Sequence, residues 1–308
     1  MELNKKIKID RSGVSTLLVI VVVIVLVVAA AAAYMILSGN DSQEEDTIAP
    51  GTVMEYDYTT TVAGVKDFEG TLEITIVGQN AKEYFSMVKQ SNSTIEVTFY
   101  LMDSKESPPG AVKTGTEEMD TFEGMKTLEI WEYTDADTGT AVKLYADPEN
   151  GMSYKVEETR GTDYGLRILK SYDLKWQGSY KESKAIGTTY EYAYTFGTIS
   201  VPVEMRCVAD CLGGQYGVVY DFSSFIPADN LVYYLSDNVQ GLPADAVNTT
   251  YTYPLDTIDG PVTVEIWSIV DGYGYGFLFL YDPESKIVYE IDILTVSGDM
   301  DFILTKKP

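Results

Sequence analysis

Two short stretches of the chain set an indole beside a carboxylate. Glu129-Ile130-Trp131 and Glu265-Ile266-Trp267 share one spacing, and on a β-strand residues i and i+2 project from the same face. An exposed indole next to a carboxylate suits stacking on a sugar ring while its hydroxyls are hydrogen-bonded, or holding a cationic ligand. The same spacing also suits a Trp packed beneath a second sheet layer with the Glu at the strand edge. Glu129, Trp131, Glu265 and Trp267 are the candidate ligand-binding residues. Tyr56, Tyr58, Tyr192 and Tyr194 likewise share faces of two strands, where they either line a groove or pack across the sheet.

Other chemistry is bounded by what the chain lacks. Its 308 residues contain no His, which excludes Ser-His-Asp and Cys-His hydrolysis, His-ligated zinc and His general bases. Carboxylates are abundant, with 47 Asp and Glu, yet nothing in their spacing selects a glycosidase-like pair. Asp135-Ala136-Asp137-Thr138-Gly139 holds part of a calcium-loop pattern, but without the third acidic position or the distal Glu it reads as a turn. No catalytic residue, metal ligand or cofactor is expected, and the chain reads as non-enzymatic.

Cys207 and Cys211, in MRCVADCLGG, are the two cysteines. No further ligand of matching type lies nearby, so the sequence favours a local disulfide closing a turn between strands, with two buried thiols as the alternative. Asn92-Ser93-Thr94 and Asn248-Thr249-Thr250 are candidate glycosylation acceptors. The net charge is −25, and because residues 1–13 carry four cations against two anions the remainder is more acidic still. That argues against nucleic acid or anionic lipid as a partner, since phosphate is held by Lys and Arg clusters. Cationic partners, divalent cations or plain solubility remain.

These residues must be positioned by strands. Period-two alternation is visible in Thr94–Leu101 and Pro261–Ile266. Tyr, Thr, Val and Ile, the residues that pleated sheets favour, are plentiful. Asp147-Pro148-Glu149-Asn150-Gly151 combines a preset φ at Pro with a permissive Gly and predicts a turn. Only Ala228–Leu235, where Pro227 could open a helix, departs from this pattern, and a strand is preferred there. The strands also read as one unit written twice. Gly51-Thr52 with Glu55–Thr59 recurs as Gly187-Thr188 with Glu191–Thr195, and Asp120–Gly124 recurs as Asp256–Gly260. Glu129–Trp131 and Leu144-Tyr145 follow at the same offset of 136, and Asp147–Glu149 at 135.

Ahead of them lies Leu17–Leu37, twenty-one uncharged residues opening with twelve consecutive Leu, Ile or Val. At about 1.5 Å per residue a helix there spans roughly 30 Å, one hydrocarbon thickness. Lys5, Lys6, Lys8 and Arg11 precede it and Asp41, Glu44, Glu45 and Asp46 follow, which places the N-terminus inside. A permanent anchor competes with a cleaved signal, for which Ala29–Ala33 offers small-residue sites, although the apolar run is long for one. Arg11-Ser12-Gly13-Val14-Ser15-Thr16 followed by the aliphatic run resembles the start of archaeal type IV pilin-like proteins over residues 11–38. The resemblance implies cleavage after Gly13 and a helix packed into a filament core. The chain departs from that family in having no acidic residue from Val14 to Ser38.

The expected organisation is a cytoplasmic 1–13, a transmembrane helix over 14–38, an acidic tether over 39–50, a β-domain over 51–176, a polar linker over 177–186 and a second β-domain over 187–308. The fold class is mainly β, with two tandem homologous antiparallel meanders closed as sandwiches or half-barrels. Such a chain fits a single-pass protein of the cell membrane with its bulk outside, binding a protein or glycan or serving the envelope. Two alternatives stay open. One is a lipid or small-molecule carrier or sensor with a concave groove, since Leu144–Lys155 resembles pieces of half-barrel lipoprotein carriers, without the helices that usually plug them. The other is a pilin-like filament subunit.

Overall fold

The computed structural model describes residues 47–94, 96–105, 108–136, 138–196, 198–221, 231–239, 242–270, 276–295 and 298–308. The expected span over 14–38 and the pilin-like motif therefore lie outside the described residues, as does most of the tether. Among the described residues no helix is long and apolar enough to cross a membrane.

The described chain is built from antiparallel strands. The first ten are β1 (Thr47–Ile48), β2 (Val53–Val62), β3 (Val65–Gln79), β4 (Glu83–Ser91), β5 (Glu96–Ser104), β6 (Val112–Thr121), β7 (Gly124–Thr134), β8 (Ala141–Ala146), β9 (Ser153–Arg160) and β10 (Asp163–Asp173). Then come β11 (Trp176–Gln177), β12 (Thr189–Phe196), β13 (Ile199–Cys211), β14 (Tyr216–Asp221), β15 (Leu231–Ser236), β16 (Val247–Thr257), β17 (Gly260–Val270), β18 (Gly276–Asp282), β19 (Ile287–Thr295) and β20 (Gly298–Lys306). A 3-10 turn at Leu212–Gly214 separates β13 from β14. The mainly antiparallel-β class expected from alternation is what forms, and the segment after Pro227 yields strand β15.

Backbone contacts divide the chain into two compact units. Among the described residues the first comprises 57–70 and 108–169, and the second 47–56, 71–105 and 170–308. In unit 1 the meander β6 to β10 is paired strand to neighbouring strand. β10 also pairs with β2, and β2 with β3. The β2–β3 hairpin turns at Ala63 and Gly64, both at positive φ, as a two-residue turn matched to the strand twist requires. Alternate residues point inward, so Tyr133, Val142, Leu144 and Val156 form an apolar cluster.

In unit 2 one ladder runs β16–β17–β18–β19–β20–β12–β13–β14–β15. Strands β3, β4 and β5 join it where Gln79 and Gly78 pair with Asp210 and Cys211 of β13. Its inner face is filled by rings: Tyr220 lies 6.5 Å from Tyr192, 6.0 Å from Tyr234 and 6.1 Å from Phe279. Tyr192 is buried and donates to the Val288 carbonyl at 2.9 Å. Tyr56 and Tyr58 are buried as well, so three of the four alternating tyrosines are core.

The polar stretch 177–186 falls inside unit 2 and is pinned there. Tyr180 Oη donates to Asp210 Oδ2 at 2.5 Å and to the Gln79 carbonyl at 3.2 Å. Ser183 N donates to Asp210 Oδ2 at 2.9 Å, and Ala81 N to Glu182 Oε2 at 3.0 Å. Lys105 Nζ sits 4.6 Å from the Tyr84 ring and 5.1 Å from the Tyr180 ring, clamping the stretch from the side.

Strands β2–β10 and β12–β20 carry the same local devices in the same order. Gly51 N donates to Ile76 O at 2.7 Å, and Gly187 N to Cys207 O at 2.9 Å; Ile76 N and Cys207 N return bonds to Thr52 O and Thr188 O. Bulges follow at Ile76/Gly78 and at Cys207/Ala209. Thr121 Oγ1 closes its hairpin on Gly124 O at 2.7 Å, as Thr257 Oγ1 does on Gly260 O at 2.8 Å.

Candidate functional site

Each Glu–Trp pair does share a face, and the partners are consumed by one another. Trp131 Nε1 donates to Glu129 Oε2 at 3.2 Å, and Trp267 Nε1 to Glu265 Oε2 at 3.0 Å. Glu129 is further held by Lys113, and Glu265 Oε2 accepts from Asn248 Nδ2 at 2.9 Å. Both indoles are half-buried against apolar clusters, and Trp267 meets the edge of Tyr281 at 6.2 Å. Two of the roughly four acceptor positions of each carboxylate are thereby taken, and each indole N–H is given to its own Glu rather than to a ligand.

The expected disulfide is not formed: Cys207 and Cys211 are free thiols. Both lie on β13 rather than on two strands flanking a turn. Burial pushes both thiols up to about 12, so neither is a thiolate at neutral pH. Of the two sequons, Asn92 sits in the turn between β4 and β5, its Oδ1 accepting from Thr94 N at 2.8 Å. Asn248 is half-buried, with Oδ1 accepting from Thr250 N at 2.7 Å and Nδ2 given to Glu265.

The structure also shows sites that the sequence reading passed over. In unit 1, Arg167 Nη2 donates to Glu158 Oε1 at 2.8 Å, with both side chains at most 2% exposed. Gly165, facing Glu158 across the ladder, leaves room for that carboxylate, since a Cβ there would lie 3.0 Å from Glu158 Oε2. Loss of water raises the Glu158 pKa, and the neighbouring guanidinium opposes that rise. Glu290, Asp292 and Asp301 form the one carboxylate trio among the described residues close enough to hold a cation. Desolvation, then the Asp301 charge, raises the pKa of Glu290.

A cleft of about 80 Å³ opens in unit 2. Thr98, Phe99 and Tyr100 of β5 form one wall and Leu231 to Tyr234 of β15 the other, with Ile269, Val270 and Asp245 completing it. Phe85 supports two of the lining rings, stacked on Tyr100 at 5.5 Å and tilted to Tyr233 at 6.4 Å. Asp245 is exposed at the rim of the cleft, and partial desolvation raises its pKa; burial first, then the Asp245 charge, pushes Tyr100 up to about 12, and burial pushes Tyr233 up to about 12. Tyr100 and Tyr233 keep their protons at neutral pH. Aromatic faces around one carboxylate are the chemistry of a site for an ammonium or guanidinium on an apolar stem. The walls are more than 130 residues apart in sequence, which is why no local pattern announced the cleft.

No family model matches the chain, and no curated protein matches it. Among solved structures, the crystal structure of MucB is 11% identical with a TM-score of 0.28, covering 70% of this chain and 86% of that one. The MucA/MucB complex of Pseudomonas aeruginosa is 10% identical with a TM-score of 0.28, covering 83% and 89%. MucB in complex with MucA(peri) is 9% identical with a TM-score of 0.27, covering 82% and 89%. Likeness at these values carries no argument about what this chain does.

Proposed function

We propose that the chain is a non-enzymatic, extracytoplasmic binding protein, held to the cell membrane through residues 14–38 with its N-terminus inside, that captures a partner protein in the cleft of unit 2. The observation that carries this reading is the cleft itself, where Tyr100, Tyr233 and Tyr234 stand with Asp245 among the described lining residues. The paired Glu–Trp sets are poorer sites because each indole N–H is already given to its own carboxylate and each indole is half-buried. The carrier reading is disfavoured in unit 2, whose inner face is occupied by its own tyrosines and phenylalanines.

Full-length protein in intact cells, carrying a photo-crosslinker in place of Thr98, tests this. The expected result is one covalent adduct, formed from outside the membrane and lost when Tyr100 and Tyr233 are both changed to Ala. An adduct that survives those changes, or a chain that protease added to unbroken cells cannot reach, overturns the reading.

A further inference from the structure

The ladders of unit 2 align two triplets of strands residue by residue. Ile76 and Cys207 occupy the same place by their bonds to Thr52 and Thr188. Pairing outward, Ser86 answers Val218 and Leu101 answers Tyr234. Thr98, Phe99 and Tyr100 are therefore the counterparts of Leu231, Val232 and Tyr233, so that the two walls of the cleft are one strand used twice.

Counting along β3 and β13 in the same way makes Asp210 the counterpart of Gln79, and these two residues are paired with each other. An antiparallel pair in which a residue faces its own counterpart is the mark of a two-fold axis. Phe85 and Gly217 are counterparts as well, and they meet: a Cβ built on Gly217 would lie 2.9 Å from the Phe85 ring. Two phenylalanines beside a two-fold axis would collide, and one ring opposite one glycine resolves the collision. The charge does not follow the symmetry. Val112 and Val247 face Glu132 and Ser268, themselves 136 apart, so the counterpart of Asp245 is Gly110, which has none.

We infer that the cleft straddles a local two-fold axis relating β3–β5 to β13–β15, and that Asp245, the one carboxylate among its described lining residues, orients a partner's lysine or arginine side chain there. This rests on the cleft being the binding site. Both halves offer a ring, and Asp245 lines the cleft from the second half, so the guest is a cationic side chain of a partner chain.

Two measurements on the full chain test the parts separately. For the axis, Phe85→Gly and the pair A209G/G217F are compared with the triple variant F85G/A209G/G217F, because a Cβ at 217 would also lie 3.0 Å from Ala209 Cβ, where the counterpart facing Phe85 is Gly78. Each of the first two should lower the melting temperature, while the triple variant recovers at least half of the summed loss, because a ring at 217 inherits Tyr233 and Tyr100 in exchanged roles. Losses that simply add overturn the axis. For the guest, an aliphatic peptide with one lysine is compared with its norleucine twin and with n-butylammonium. The lysine peptide should bind about tenfold tighter than the twin, and Asp245→Asn should erase that preference. Equal binding of the twin overturns the cationic guest, and equal binding of n-butylammonium overturns the peptide. If none of the three binds while the triple variant recovers, the cleft as binding site fails and the axis stands.

Discussion

Arg167 and Glu158 form a charge pair sealed inside unit 1, a place where each alone is costly. Removing one partner of such a pair leaves the other buried and uncompensated, which destabilises by about 3 to 5 kcal/mol. Arg167→Met should show that loss in urea unfolding at neutral pH, while Arg167→Met with Glu158→Leu should recover most of it. The pH dependence has a definite sign. Desolvation already raises the Glu158 pKa against the Arg167 charge, so without the guanidinium the folded chain holds a proton that the unfolded chain has released. Stability of the single variant then falls as pH rises through that window, and its deficit should shrink near about pH 4. An equal deficit at both pH values would contradict this. The pair was hidden in the sequence because Arg167 reads as an ordinary outward residue; its inward position follows from register, Gly165 and Leu169 being buried two residues to either side.

Among the elements, the crossing of β3 and β13 is the tightest point of unit 2. A Cβ at Gly78 would lie 2.3 Å from Cys211 Sγ and 2.6 Å from the Asp210 carbonyl, and the latter is backbone that cannot swing aside. Gly78→Ala should therefore cost about 1 to 3 kcal/mol in denaturant unfolding, with Gly64→Ala as a turn-only comparison. A neutral Gly78→Ala would show that the strands do not meet there. Strand type and many turns were legible beforehand, because alternation and Asp-Pro-x-Asn-Gly chemistry are local. The pinning of 177–186 was not, since its anchors Asp210, Gln79 and Lys105 are distant in the chain and polar composition alone reads as a linker. The cysteines were misplaced for a related reason: the turn assumed between Cys207 and Cys211 begins only at Leu212, after the strand has carried both.

On the scale of the whole molecule, compact units and sequence repeats do not share boundaries. Unit 2 recruits Thr71–Lys105 from the first repeat, so β13 receives β3 along one side and Gly217 is covered by Phe85. A fragment of residues 187–308 should then be less stable than residues 47–308 and bind hydrophobic dye, as dye fluorescence and size-exclusion chromatography would show. A monomeric, dye-silent fragment with the parent's melting temperature would mean that the second repeat stands alone. The repeat itself was readable because its turn residues recur at a fixed offset. Which of its pieces pack together was not, because that depends on contacts between residues far apart in the chain.

The bond from Asn248 to Glu265 sets an order of events. Once β16 has zipped onto β17, the amide nitrogen that a glycosyl donor must reach is turned toward a carboxylate and half enclosed. A glycan at Asn248 has to arrive while the chain is still emerging, so occupancy there would act as a clock, recording whether transfer or folding came first.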